Sequence, residues 1–383
     1  MPQRLKTDWI LFATVVVLMA IGLVILYSAS SIMASVDPRY GWDWYFVVRQ
    51  LGWAVVAVCI MMALKRTNYS KLNNSALAFS SIAISLMLLA AVYFVDGHHR
   101  WLRVPHTPIG VQPSELAKPA LVVFLAFFVA WRGRAINNPR HTLIPAALAV
   151  GFVIFAVVVA DLGTAVVLAV ASMVVFFVAG LEFRYCMIAF AIALLGLGVS
   201  IYREPYRLAR VVHFVDPQFK LLAKIDKSGA VRNHMQKSLA TRDTNYQSEQ
   251  SKIAVGAGGP LGLGLMNGKQ KLLYLPEAHT DFIYAVVAEE LGTVGAGAVL
   301  LCFAVIFWRG LRAAWRMNDD FGRYLALGAT VVVVVQGFIN MSVVLGMMPT
   351  KGIPLPMISY GGSSLLSTLA LLGMLMNVSE NAG

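Results

Sequence analysis

Ten stretches of about twenty mostly apolar residues recur along the chain, and that is the length a helix needs to cross the hydrocarbon core of a bilayer. They lie near Trp9–Tyr27, Phe46–Leu64, Ala76–Val95, Leu116–Trp131, Leu143–Ala160, Gly163–Gly180, Tyr185–Ile201, Phe282–Trp308, Tyr324–Leu345 and Met357–Asn377. The fifth and sixth are almost continuous and meet at Asp161, where a tight turn is expected. Only 13% of the 383 residues are charged, about half the share found in soluble domains. The expected fold is all-α and polytopic, with about ten transmembrane helices in a single membrane domain over 1–383. Residues 1–202 hold helices one to seven, 203–281 a large loop, and 282–383 helices eight to ten with a short tail. The first stretch is too long for a signal-peptide core and reads as a retained helix. Cys59, Cys186 and Cys302 stand alone in apolar stretches, without disulfide or metal spacing.

The net charge of +12 invites a nucleic-acid reading, but the distribution of charge argues against one. With the N-terminus inside, the short inner segments hold 13 Lys and Arg, and the short outer loops hold four: Arg39, Arg100, Arg103 and Lys351. That asymmetry obeys the positive-inside rule, so both termini are expected in the cytoplasm and loop 203–281 outside. Most of the positive charge is then topological, with lipid headgroups as its partner.

The loop is too long to be a simple connector, and long loops in compact proteins usually carry function. Lys220–Asn245 within it is charged and expected to be mobile. Gly256–Gly264 is glycine-rich and reads as a re-entrant or interfacial turn. It lacks the GK[ST] ending of a nucleotide phosphate loop.

Ionisable groups in or beside spans are costly, so each is a functional candidate. Glu115 and Lys118 are three apart at the start of the fourth span and share a helix face. They fit either a structural ion pair or a polar cavity open to the outside. Asp161 suits an N-cap at the turn. Arg207 and Arg210, also three apart, either snorkel to headgroups or grip phosphate through their planar forks. Glu277, His279 and Asp281 crowd two carboxylates and an imidazole into five residues, where a cap at Thr280 or Asp281 would need only one such group. Glu289 and Glu290 follow in the same helix and are expected near the outer interface, bonded to neighbours. Pro349 to Ser364, with Lys351, Ser359 and Ser363, breaks up the last span, either as a packing kink or beside a wet cavity. All five segments fall at the outer helix ends and together suggest a cleft at the outer leaflet.

In order, these segments resemble the signatures of the SEDS family of bacterial cell-wall proteins, the FtsW and RodA group. The resemblance is carried by Gln112-Pro-Ser-Glu115 with Lys118, Asp161-Leu-Gly-Thr164, Leu275-Pro-Glu-Ala-His-Thr-Asp-Phe282, Ala288-Glu-Glu-Leu-Gly292, and Gly352-Ile-Pro-Leu-Pro356 through Ser359-Tyr-Gly-Gly-Ser-Ser364. It extends from about Trp9 to Ser379 and is closer to the division branch, FtsW. Ala160 stands where the family usually has proline, and Met357 where it usually has an aromatic residue.

The resemblance implies a peptidoglycan glycosyltransferase that polymerises lipid II at the outer face of the bacterial cytoplasmic membrane. It implies a class B penicillin-binding protein as partner, alongside other membrane proteins of the division or elongation machinery. The family's catalytic aspartate maps onto Asp281, and its polar cavity groups onto Glu115, Lys118 and Asp161. A positioned carboxylate would help a weak sugar hydroxyl attack. Arg207, Arg210, Lys351 and Lys118 are the candidate cations for a leaving pyrophosphate, and a divalent ion such as Mg or Mn could share that task. The competing reading is a transporter that flips lipid II, which ten helices and buried charge also suit. Against it, the ionisable cluster lies at one face and no inverted repeat is visible.

Overall fold

The computed structural model describes all residues except 1–6, 96–99, 104–109, 217–219, 221–225, 227–230, 232–234, 236–242, 273 and 383. Most of the Lys220–Asn245 segment therefore lies outside the described residues. In hydrocarbon each backbone N–H and C=O must find a partner within the protein, so apolar spans become helices. The described helices are α1 (Trp9–Val36), α2 (Tyr45–Arg66), α3 (Ser75–Val95), α4 (Pro113–Arg132), α5 (Ile144–Ala160), α6 (Leu162–Val178), α7 (Phe183–Arg203) and α8 (Pro205–Val215). After these come α9 (Asp243–Gly258), α10 (Ile283–Arg316), α11 (Asp320–Val344) and α12 (Gly362–Asn381), and a small antiparallel pair, β1 (Leu102–Arg103) and β2 (Gly110–Val111), precedes α4. Nine spans among the described residues are long and apolar enough to cross a membrane, and the seventeen-residue α6 makes a tenth. The chain is an integral membrane protein.

Burial divides the bundle. Most residues of α4, α11 and α12 are buried, whereas α7 buries only Cys186 and turns Phe190, Ile192 and Leu195 outward. The central helices also carry the polar residues: Ser114, Glu115 and Lys118 on α4, Gln336 and Asn340 on α11, Ser363, Ser367 and Asn377 on α12. Hydrocarbon favours this inversion, because a polar side chain is cheaper against a partner helix than against lipid. At one end of the bundle Asn377 accepts from Tyr69 N (3.2 Å) and donates to the carbonyls of Leu64 and Lys65, so α12 clamps the end of α2. Asp8 joins that end by pairing with Arg309 of α10 at 2.7 Å.

Several boundaries differ from those read in the sequence. Helix α1 runs nine residues past Tyr27, to Val36, and the last helix starts at Gly362 because 357–361 are turns. The eighth span continues to Arg316 and is broken at Gly292 (φ 68, ψ −168), a conformation open essentially to glycine alone. The glycine-rich turn fills this break. Leu263 N and Gly264 N donate to the carbonyls of Glu289 and Glu290 at 3.0 Å. In return, Thr293 N and Val294 N donate to the carbonyls of Gly259 (2.9 Å) and Pro260 (3.2 Å). Gly262 (φ 81) and Gly292 meet backbone to backbone, where a Cβ on either would overlap main-chain atoms of the other. The turn expected to be re-entrant or interfacial is thus a splice that satisfies a broken helix.

Glu289 and Glu290 are fully buried and, as expected, bonded to neighbours. Glu289 accepts from the backbone N–H groups of Lys269 (2.7 Å) and Gln270 (3.2 Å). Glu290 pairs with Lys271 at 2.5 Å and accepts from Ser28 of α1 at 2.6 Å. These two carboxylates strap segment 263–271 to α10 and α1, and that segment leads into the Asp281 loop.

Candidate active site

Asp281 lies two residues before α10, at the bundle end opposite the Asn377 clamp. The alternative of a cap at Thr280 or Asp281 does not form. Phe282 occupies the cap position without a side-chain bond, and Thr280 instead donates its hydroxyl to Glu277 at 2.6 Å. Glu277 takes φ 56, and its carbonyl accepts from Thr280 N (3.1 Å) and Phe282 N (3.2 Å), which coils residues 277–282 into a tight turn.

The broken segment 349–361 packs against this turn. Ser359 donates to Thr280 O at 2.6 Å and accepts from Leu355 N at 2.8 Å. Tyr360 N donates to His279 O at 3.0 Å. Asn340 of α11 ties the two together, its amide reaching Asp281 O and Ile353 O, both at 2.7 Å. Gln336 donates to Pro354 O (2.9 Å), while Gln50 of α2 donates to Ser359 O (3.3 Å) and accepts from Gly361 N (3.2 Å). Irregular backbone at membrane depth is tolerated when protein groups satisfy it in this way. Ser359 therefore acts as a pin, and Ser363 is buried in the first turn of α12.

The carboxylate of Asp281 is half-buried and accepts no hydrogen bond among the described residues. It faces Gly352, where an added Cβ would come within 2.7 Å of Asp281 Oδ2. Burial raises its pKa to about 7; Arg100 and Arg210 oppose that rise, while Glu277 and Asp161 add to it. Arg100 donates to Gly352 O at 3.3 Å, so its charge is held close to Asp281.

The other sequence candidates fall into two groups. Arg210, on α8, points inward to Thr350 O (3.1 Å) and stacks on Tyr206, with its guanidinium 4.1 Å from the ring centroid. Burial lowers its pKa to about 10, so it keeps its charge at neutral pH. Lys351 is half-buried, and burial lowers it to about 8, with Asp161 working against the drop and Arg207 and Arg210 adding to it. Arg207 reaches Ser200 (2.7 Å) and Val158 O (3.4 Å) at the rim. His279 is held below its usual pKa by burial, partly offset by Glu277, and its ring meets that of Phe46 at 4.8 Å in a tilted contact.

Glu115 and Lys118 stand apart from this surface. Lys118 Nζ donates to both Glu115 oxygens (2.7 Å) and to Gln336 (2.6 Å), and Ser367 donates to Glu115 at 2.9 Å. The pair is sealed within α4, α11 and α12 and lines no open cleft. Asp161 caps α6, accepting from Gly163 N (2.9 Å), Thr164 N (3.3 Å) and the Thr164 hydroxyl (2.8 Å). Its charge still acts on Asp281 and Lys351.

Sequence reading missed Arg100, Asn340, Gln336 and Gln50 as parts of the site. Arg100 had counted only toward topology. The three amides carried a usable signal, a side-chain amide within an otherwise apolar span.

The model of the family described as "Cell cycle protein", spanning FtsW, RodA and SpoVE, matches residues 8–383. The chain belongs to this family. Among similar proteins, a Halomonas elongata protein named "Probable peptidoglycan glycosyltransferase FtsW" is 37% identical, covering 97% of this chain and 89% of its own. The stage V sporulation protein E of Bacillus subtilis is 33% identical over 99% of this chain and 98% of its own. A solved structure from a peptidoglycan synthase complex, described as coordinating polymerization and crosslinking, superposes with TM-score 0.73 at 28% identity and 98% coverage of both chains. The rod shape determining protein RodA of Thermus thermophilus superposes at 0.64 with 27% identity, covering 100% of this chain and 99% of that one. The family's fold is the fold of this chain.

Proposed function

We propose that this protein is a peptidoglycan glycosyltransferase that polymerises lipid II, with Asp281 as its general base. The observation that carries the reading is a half-buried carboxylate that accepts no hydrogen bond among the described residues, set near Arg100 and Arg210 and facing Gly352, the residue after Lys351. Relatives named as glycosyltransferases along nearly their full length support the same chemistry.

In the proposed step, the sugar hydroxyl of the lipid-linked acceptor attacks C1 of the growing chain's terminal sugar. The C1–O bond to the diphosphate breaks, and undecaprenyl pyrophosphate leaves with that electron pair. The hydroxyl proton passes to Asp281, whose raised basicity suits the transfer near neutral pH. Arg210 and Lys351, with Arg207 at the rim, meet the diphosphate charge where water is scarce. Glu277, His279, Ser359 and Ser363 shape and hold the loops that present Asp281, while Glu115 and Lys118 brace the helices beneath. Among the described residues no group of three or more His, Cys, Asp or Glu converges to hold a metal.

The proposed active face is the extracytoplasmic side of the cytoplasmic membrane, a placement that the charge asymmetry of the short loops supports. A class B penicillin-binding protein is the partner that would crosslink the strands. The test is strand formation from purified lipid II in detergent, with and without that partner, for wild type and Asp281→Asn. Polymer from wild type and at least a hundredfold less from the variant is expected. Equal polymer from both would refute Asp281 as base. No polymer under any condition, with lipid II still crossing vesicles, would favour a transporter.

A further inference from the structure

The loop between α1 and α2 is unusually aromatic, holding Tyr40, Trp42 and Trp44, with Tyr45 and Phe46 directly after. None of these rings is used by the proposed chemistry. They are nevertheless in contact with the site. The Phe46 ring lies 4.8 Å from His279 and 5.1 Å from Tyr360, the two residues joined by a backbone bond beside Asp281. Tyr40 in turn lies 4.9 Å from both Tyr45 and Phe46. An unbroken run of ring contacts thus leads from the catalytic loop outward to Tyr40.

The loop is also held in place. Asp37 pairs with Arg39 at 2.6 Å, Tyr40 N donates to Asp37 O at 3.0 Å, and Gly41 turns the chain with φ 77. Trp44 stacks on Tyr27 of α1 at 4.4 Å, and Tyr27 donates its hydroxyl to Asp43 at 3.1 Å. Arg49 donates to the Tyr45 hydroxyl at 2.6 Å. Trp42 and Trp44 keep half their surface exposed, at 50% and 47%. The result is a fixed ledge of flat rings with a rim of charged and hydroxyl groups.

A pyranose ring has matching chemistry, with an apolar C–H face and a polar rim of hydroxyl and acetamido groups. Aromatic side chains with polar handles suit such a two-natured ligand, and their few rotatable bonds cost little entropy to order. We infer that the ledge Tyr40–Phe46 is a saccharide-binding surface that holds the newly made glycan strand as it leaves Asp281. The inference rests on the polymerase reading and deepens it. A belt of Trp and Tyr at the membrane surface is the bland alternative. A belt, however, has no need of ring contacts that reach the catalytic loop.

The experiment compares the full chain with Trp42→Ala and Tyr40→Ala, which leave Phe46 and the core in place; thermal melting verifies that each variant is folded. In the first arm, strands made from lipid II are sized by gel at matched numbers of bonds formed. Modal strand length should fall about threefold or more, because a strand held by fewer contacts escapes sooner. In the second arm, a soluble β-1,4-linked N-acetylglucosamine hexamer is titrated against each protein. Wild type should bind, and both variants should bind about tenfold more weakly. Strand lengths like wild type in both variants, or hexamer affinity unchanged by either, would overturn the ledge. If wild type makes no polymer, the polymerase reading fails, and the hexamer arm alone decides the ledge.

Discussion

The pH profile of strand synthesis tests the electrostatics of the site directly. Asp281 must be ionised to accept a proton, and burial places its pKa at about 7. Lys351 must be protonated to meet the diphosphate, and burial places it at about 8. Activity should therefore be bell-shaped, with a maximum near about pH 7.5. At about pH 6 roughly a tenth of Asp281 is carboxylate, so the rate should fall about tenfold, and about another tenfold per further unit. At about pH 9 roughly a tenth of Lys351 remains charged, and the alkaline limb should mirror the acid one. The signs separate the limbs by mutation. Arg100 favours the charged carboxylate, so Arg100→Met should move the acid limb to higher pH. Lys351→Arg keeps a cation that does not titrate in this range, so the alkaline limb should disappear. The assay is the initial rate of polymerisation from purified lipid II at constant ionic strength. An acid midpoint near about 4, the ordinary carboxylate value, would show that Asp281 is not desolvated and would defeat the argument. So would an acid limb that stayed in place in Arg100→Met.

Other perturbations reach different parts of the structure. Gly352→Ala places a methyl 2.7 Å from Asp281 Oδ2, so strand synthesis should drop about tenfold or more with little change in melting temperature. Lys118→Ala leaves Glu115 buried without its cation and should cost about 3–5 kcal/mol, read as a large drop in thermal stability in detergent. Adding Glu115→Gln to that variant should recover part of the loss, since the uncompensated charge is removed. Gly292→Ala forces a side chain into φ 68 against the backbone of Gly262 and should cost about 3 kcal/mol or more, with earlier proteolysis of segment 259–271.

The spans were legible because membrane insertion is read from local sequence. A run of apolar residues of the right length has one favourable fate in hydrocarbon, and its flanking charges orient it. The Asp161 turn was visible for the same reason: the residue ends one helix and caps the next with its own side chain. The segment 277–281 stood out because three ionisable groups in five residues exceed what a cap requires, and Asp281 was singled out within it by the family resemblance and its place at a helix start. The break at Gly292 was not legible. A glycine inside an apolar span has many uses, and only the arrival of Gly259–Gly264 from the preceding loop shows why the helix opens there. The partners of Glu289 and Glu290 were not legible for a related reason, because local sequence could not reveal that Lys271, Ser28 and two backbone N–H groups would be the neighbours that meet them.

The sequence by itself determined that this chain crosses the membrane about ten times and which short segments carry its costly polar groups. Those facts depend on hydropathy and on residues a few positions apart. The tertiary structure alone decided which of the polar groups share a site. It brought Arg100, Arg210 and Gly352 to Asp281, sealed Glu115 and Lys118 into the core, and set Asn340 between two broken loops. The physical reason is that charge and desolvation act through space over a few ångströms, between residues that the chain separates by up to about two hundred and fifty positions.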